Sequence, residues 1–228
     1  MKKIIVSIFI CLATFSAFAA DWNFFVPIGI SVPISYFRQE KTHRNVDQCA
    51  FDLDLSLIGI EMNYGFSFEA AIRGGIGSTT CLYADDKRDF AFDGAINLGV
   101  GWSPIRKNKF ILSVFARMGL NFDRYSSKKT YRISTNKEHT FEQDVTLVDF
   151  NLGFDVQASF FFNDFIGLFI RGSYDRVIVG SVHYSENEGT KTYYYNGYEY
   201  KYGSNNLAQF KTVGNQIITP TVGVVIKF

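Results

Sequence analysis

The chain has 228 residues, 23 Lys+Arg against 22 Asp+Glu, 17% aromatic residues and only 4 prolines. Charges this evenly balanced exclude the basic footprint of a nucleic-acid-binding protein. Past the N-terminus no apolar run reaches the roughly 20 residues that a membrane-spanning helix needs.

The first segment is an export signal. Lys2 and Lys3 form a charged start, Ile4 to Ala13 an apolar stretch, and Ala17-Phe18-Ala19 a small-x-small cleavage site, so residues 1–19 are expected to be removed. The apolar stretch is too short for a membrane anchor and no basic stop follows it. Cys11 does not mark a lipoprotein, because bulky Ile10 stands where a lipid-attachment site needs a small residue. Cleavage takes two lysines, leaving 21 Lys+Arg against 22 Asp+Glu and a net charge of −1 for residues 20–228.

The exported chain then alternates with period two. Phe90, Phe92, Gly94, Ile96, Leu98, Val100 and Trp102 interleave with Ala91, Asp93, Ala95, Asn97, Gly99 and Gly101. The next two segments repeat the pattern, from Phe110 to Phe122 and from Val148 to Phe160, with Ser113, Arg117, Asp149, Asp155 and Gln157 on the polar side. Eight such segments are read, at 23–37, 50–63, 66–82, 89–102, 109–125, 145–160, 165–181 and 215–228, with a bulge where the pattern shifts between Leu57 and Ile58. One face suits lipid and the other water. A chain of this kind spans a bilayer only as a closed sheet, because every backbone amide in hydrocarbon must be paired internally.

Connections alternate in length. Asn63-Tyr64-Gly65, Ser103 to Asn108 and Phe162-Asn163-Asp164 read as tight turns, whereas 38–49, 83–88, 126–144 and 182–214 read as long loops. Short turns belong on the periplasmic side and long loops outside the cell. Trp102, Phe110, Phe160, Phe161, Phe165 and Phe228 fall at the turn ends, and Tyr36, Phe51, Phe90, Phe122 and Tyr125 at the loop ends, forming two interfacial girdles.

The last segment carries Ile218, Pro220, Val222, Val224, Ile226 and Phe228 on one face. An alternating strand closing on an aromatic resembles the assembly signal of bacterial outer-membrane barrels, here Val224, Ile226 and Phe228. The whole exported chain is similar to the eight-stranded outer-membrane family that includes the OmpA barrel, OmpX and OmpW. That resemblance implies an all-β, eight-stranded, antiparallel up-and-down transmembrane barrel in the outer membrane of a diderm bacterium. It also implies partners in outer-membrane lipid and the barrel-assembly machinery, a monomeric state and no cofactor.

Inside such a barrel, Glu69, Arg73, Asp93, Arg117, Asp155 and Arg171 form a charged ladder. A turn centred on Asn163 sets Asp155 opposite Arg171, and Arg117 falls within two residues of both Asp155 and Asp93 across its two strand boundaries. The ladder reads either as a selectivity lining or as a structural network plugging a barrel barely wider than its own side chains. Inward Gly99, Gly101, Gly119, Gly153, Gly167 and Gly223 leave room for a narrow water path.

Cys49 and Cys81 fall at the outer ends of adjacent strands facing an oxidising compartment, where a disulfide is expected rather than a metal site. Tyr193, Tyr194, Tyr195, Tyr198, Tyr200 and Tyr202 flank Asn196-Gly197, the signature of a hairpin with a type I′ turn. Tyrosine offers large semi-rigid contact area with a polar tip, which fits binding to a host or neighbouring-cell surface ligand. His183-Tyr184-Ser185 is similar to the His-x-Ser of outer-membrane lipid A deacylases, where serine attacks an ester and histidine takes its proton. Glu186 interrupts the asparagine expected next, no acidic third member is placed by the pattern, and no catalytic residue is assigned. The expected role is structural or surface-binding; a narrow channel or carrier for small solutes and, more remotely, a lipid hydrolase are the alternatives.

Overall fold

In the computed structural model, residues 22–39, 45–62, 64–80, 88–134, 137–186, 191–195, 198–202 and 210–228 are described. Side chains are described over 23–36, 48–62, 64–79, 90–125, 146–181 and 213–228. The segment 1–19, expected to be an export signal, and Cys81 lie outside the described residues.

The strands are β1 (Trp22–Ser31), β2 (Ile34–Gln39), β3 (Asn45–Met62), β4 (Phe66–Thr80), β5 (Arg88–Lys107), β6 (Phe110–Ser134), β7 (Lys137–Phe161), β8 (Ile166–Glu186), β9 (Lys191–Tyr195), β10 (Tyr198–Tyr202) and β11 (Phe210–Lys227). Every pairing is antiparallel. From β2 to β8 neighbours in sequence are neighbours in the sheet, and β11 pairs with both β8 and β1, so the sheet closes on itself. β1 and β2 are one stave broken at Val32-Pro33, which gives eight staves in all. At the break the Val32 amide donates to the Pro220 carbonyl at 3.0 Å and the Ala50 amide to Pro33 at 3.1 Å, so the ladder is repaired across both seams. β9 and β10 form a separate two-stranded sheet.

Alternation decides the faces as expected. Outward residues are apolar and exposed (Phe51 60%, Val100 61%, Ile170 64%), while their inward neighbours Asp52, Gly101 and Arg171 are buried. An apolar surface this continuous is stable only against another apolar medium. The shift at Leu57 and Ile58 is a bulge in the β3–β4 pairing, and it leaves both side chains outward.

Several expectations change. Phe161 and Tyr125 are buried at 7% and 2%, facing the interior instead of joining the girdles. The segment 126–144 is strand almost throughout, because β6 and β7 stay paired out to Ser134 and Lys137, with Lys128 opposite Glu142 and Arg132 opposite Glu138. Opposite charges at facing positions favour continuation of the ladder. β5 likewise runs on through Ser103–Lys107, with a register shift after Trp102, so the turn there is only Asn108–Lys109. At the β3–β4 turn Gly65 adopts φ 84°, a conformation that favours glycine, and its amide donates to the Met62 carbonyl at 2.8 Å.

Candidate functional site: the filled lumen

The interior is layered, and each layer follows from register. Nearest the loops, Tyr125 donates its hydroxyl to Gln48, whose amide donates to Asp123 at 3.3 Å, bridging β3 and β6 across the lumen. Below it, Asp52 lies over Gly75 toward Asp93, and Arg73 approaches both, at 2.9 Å and 3.3 Å, while donating to Thr219 at 3.1 Å. Next, Arg171 of β8 pairs with Glu69 of β4 at 2.8 Å, Gln157 accepts from the same guanidinium, and Ser56 donates to Glu69. Arg117 spans Asp155 at 3.3 Å and Asp175, to which its Nε donates at 3.2 Å.

Partners differ from those expected. Arg171 stands opposite Gln157, and Asp155 opposite Ser173. The turn after β7 spans Phe162–Phe165, with Asn163 Oδ1 accepting from the amides of Phe165 and Ile166 at 2.9 and 2.8 Å, which moves its centre one residue and the register two. Arg117 faces Gly99 across β5, six positions from Asp93, and Asp93 instead faces Asp123. Asp93 therefore meets Arg73, not Arg117.

Further lumen residues escaped the sequence reading. Asp52, Asp54 and Ser56 alternate with Phe51, Leu53 and Leu55, a signal plain in retrospect. Inside the barrel the buried carboxylates Asp52, Asp54, Glu61, Glu69, Asp93, Asp123, Asp149, Asp155 and Asp175 outnumber the guanidiniums of Arg73, Arg117 and Arg171. Among the described residues no group of three or more His, Cys, Asp or Glu side chains is arranged to hold a metal ion.

Phe115 is the other addition. It sits on the polar face of β6 at 2% exposure, its ring lying over Gly101 and beside Gly99. A cavity of about 10 Å³ bounded by Asp54, Arg117, Asp155 and Arg171 lies on one side of it. A cavity of about 30 Å³, edged by Ser67, Ser103, Ser113 and Ser159, lies on the other. Beyond that, Phe161, Phe169 and Val225, with Phe25 and Ile111, make an apolar cluster at the turn end. The inward glycines are seats rather than openings. A Cβ on Gly101 would run into the Phe115 ring, and one on Gly119 into Asn97 Oδ1.

The fold is that of small outer-membrane barrels. Two solved structures share it: Neisserial surface protein A, with TM-score 0.52 and 11% identity, covering 90% of this chain and 97% of that one, and a major outer membrane protein from Thermus thermophilus, with TM-score 0.53 and 11% identity, covering 90% and 99%. At that identity the likeness is one of fold. No protein-family model and no curated protein matches the sequence.

The remaining singled-out residues are spread around this barrel. Val224 and Phe228 are exposed on the outer face, Ile226 is half-buried beside them, and the Phe228 amide donates to the Phe24 carbonyl at 2.8 Å. Cys49 is a free, exposed thiol whose register partner is Ser78; the expected bridge falls on Cys81, outside the described residues. His183 and Ser185 stand at register positions facing Thr146 and Asp144, outside the described side chains. In the β9–β10 hairpin, Tyr195 faces Tyr198, Tyr193 faces Tyr200 and Lys191 faces Tyr202. Asn196-Gly197, between those strands, lies outside the described residues.

Proposed function

We propose that the protein is a plugged outer-membrane barrel that holds its loop-end hairpins outside the cell as a binding surface. The observation that carries this reading is the register of β9 and β10. That register puts positions Tyr193, Tyr195, Tyr198, Tyr200 and Tyr202, with Lys191, on one face of a separate two-stranded hairpin, and Thr192, Tyr194, Glu199 and Lys201 on the other. A one-sided tyrosine surface is a composition suited to recognition. The layered lumen supports the plugged reading over a narrow channel or carrier, since ion pairs, the Gln48–Tyr125 bridge and Phe115 fill the cross-section. Neisserial surface protein A, whose name assigns it to a surface, shares the barrel. The lipid hydrolase alternative gains no support from the described side chains.

The test is adhesion of cells displaying the wild type or a variant in which residues 191–202 are replaced by a short Gly-Ser linker. Both should reach the outer membrane in equal amounts, and the variant should lose adhesion to epithelial monolayers. Equal adhesion at equal display would refute the reading.

A further inference from the structure

We infer that the β5–β6 turn is a docking surface for anionic phospholipid headgroups in the leaflet at the short-turn end of the barrel. This rests on the reading of the barrel as membrane-spanning, and adds to it a lipid class and a place. The ladder of β4 with β5 ends at Phe66 and Trp102, with one more bond from the Ser103 amide to the Gly65 carbonyl at 2.8 Å, and β5 continues to Lys107 paired with β6, so this hairpin projects past its neighbour. Its end reads Arg106-Lys107-Asn108-Lys109, all exposed.

The three cations are not equivalent. Arg106 turns back to Glu61 at the lumen edge at 3.1 Å, so its charge is answered within the protein. Lys107 and Lys109 have no ion-pair partner among the described residues. The other carboxylate on the short turns is Asp164, in the neighbouring turn, which the Phe161 amide ties alongside by donating to the Lys109 carbonyl at 2.8 Å; Asp164 pairs with neither lysine.

Depth gives the two lysines their partner. Trp102 lies half exposed on the outer face and donates its indole N–H to the Tyr64 carbonyl at 3.3 Å, with Phe66 exposed beside it. Tryptophan and tyrosine mark the level of the headgroups. A pair of unanswered ammonium groups immediately past that level stands where lipid phosphates lie. Each lysine near an anionic surface favours binding by about fivefold, and zwitterionic lipid, which has no net charge, offers no such gain.

The experiment reconstitutes the full exported chain into phosphatidylcholine vesicles with and without a minor fraction of phosphatidylglycerol. It reads the relative association of spin-labelled phosphatidylglycerol and phosphatidylcholine with the barrel. Wild type should enrich phosphatidylglycerol several-fold, Lys107→Gln/Lys109→Gln should bring the ratio close to one, and high salt should do the same. Arg176→Gln, a substitution on the outer face toward the loop end, should leave the ratio unchanged. Equal association of both lipids with wild type, or enrichment that survives the double substitution, overturns the inference while insertion stands. Failure to acquire protease protection in either vesicle overturns the membrane-spanning reading as well.

Discussion

Arg171 on β8 reaches Glu69 on β4 at 2.8 Å, and these two staves stand diametrically opposite each other in the barrel. The pair therefore crosses the full lumen. Removing one partner strands the other charge where water is scarce, a loss of about 3 to 5 kcal/mol for a buried pair. Arg171→Ala should lower the urea midpoint of the lipid-inserted protein, and Glu69→Gln combined with it should cost less than the two separate losses together. An unchanged midpoint with altered ion permeability would mean that the network lines a water-filled path.

Phe115 separates two cavities and packs on Gly101. Phe115→Ala should cost about 3 to 5 kcal/mol through lost burial and the void it leaves. Planar-bilayer recordings should still show no steady current, because the Gln48–Tyr125 bridge and the charged layers above remain. A steady current from the variant alone would identify the ring as the sole barrier.

Glycines on the two faces should respond differently. Gly101→Ala drives a methyl into the Phe115 ring and should cost about 1 to 3 kcal/mol by overpacking. Gly172 is outward, and nothing lies within 4 Å of a Cβ built there. Gly172→Ala should match the wild-type midpoint in the same assay; equal effects would contradict the packed lumen.

The β6–β7 ladder out to Ser134 and Lys137 predicts slow amide exchange well beyond the apolar belt. Hydrogen-exchange mass spectrometry should show peptides covering 126–133 and 138–144 protected relative to the same peptides in the denatured chain. Full exchange of both ribbon peptides at the earliest times would restore the long loop read from the sequence.

Face was legible in the sequence and partner was not, and the reason is geometric. A strand slipped by one residue turns its side chains to the other face, whereas a slip of two keeps the face and changes only the neighbour. Asp155 and Arg171 could thus be placed inside from Phe154, Val156 and Ile170 alone. Finding Ser173 and Gln157 opposite them needed the turn around Asn163, whose side-chain hydrogen bonds to the backbone set the register. Phe115 was passed over for a related cause: an aromatic on a polar face looks like noise until Gly101 is known to stand opposite it. The strand character of 126–144 was hidden because, with no lipid contact, the apolar alternation that marks the staves stops there. The side chains of the tyrosine hairpin, and residues 1–19 read as an export signal, lie beyond what the structure describes.

Closure of the barrel joins Phe25 to Lys227, in the first and last strands of the series. From β2 to β8 each seam links strands adjacent in sequence, and the β8–β11 seam spans only the segment that carries β9 and β10, so all of these are far more local contacts. The final seam is a contact of high sequence separation, the kind that slows folding. Until it forms, β1 and β11 each present a row of bare amides and carbonyls, which hydrocarbon cannot solvate. Entry into the bilayer and completion of the ring are therefore one event, and a chain halted before its last stave has no stable place in either water or lipid.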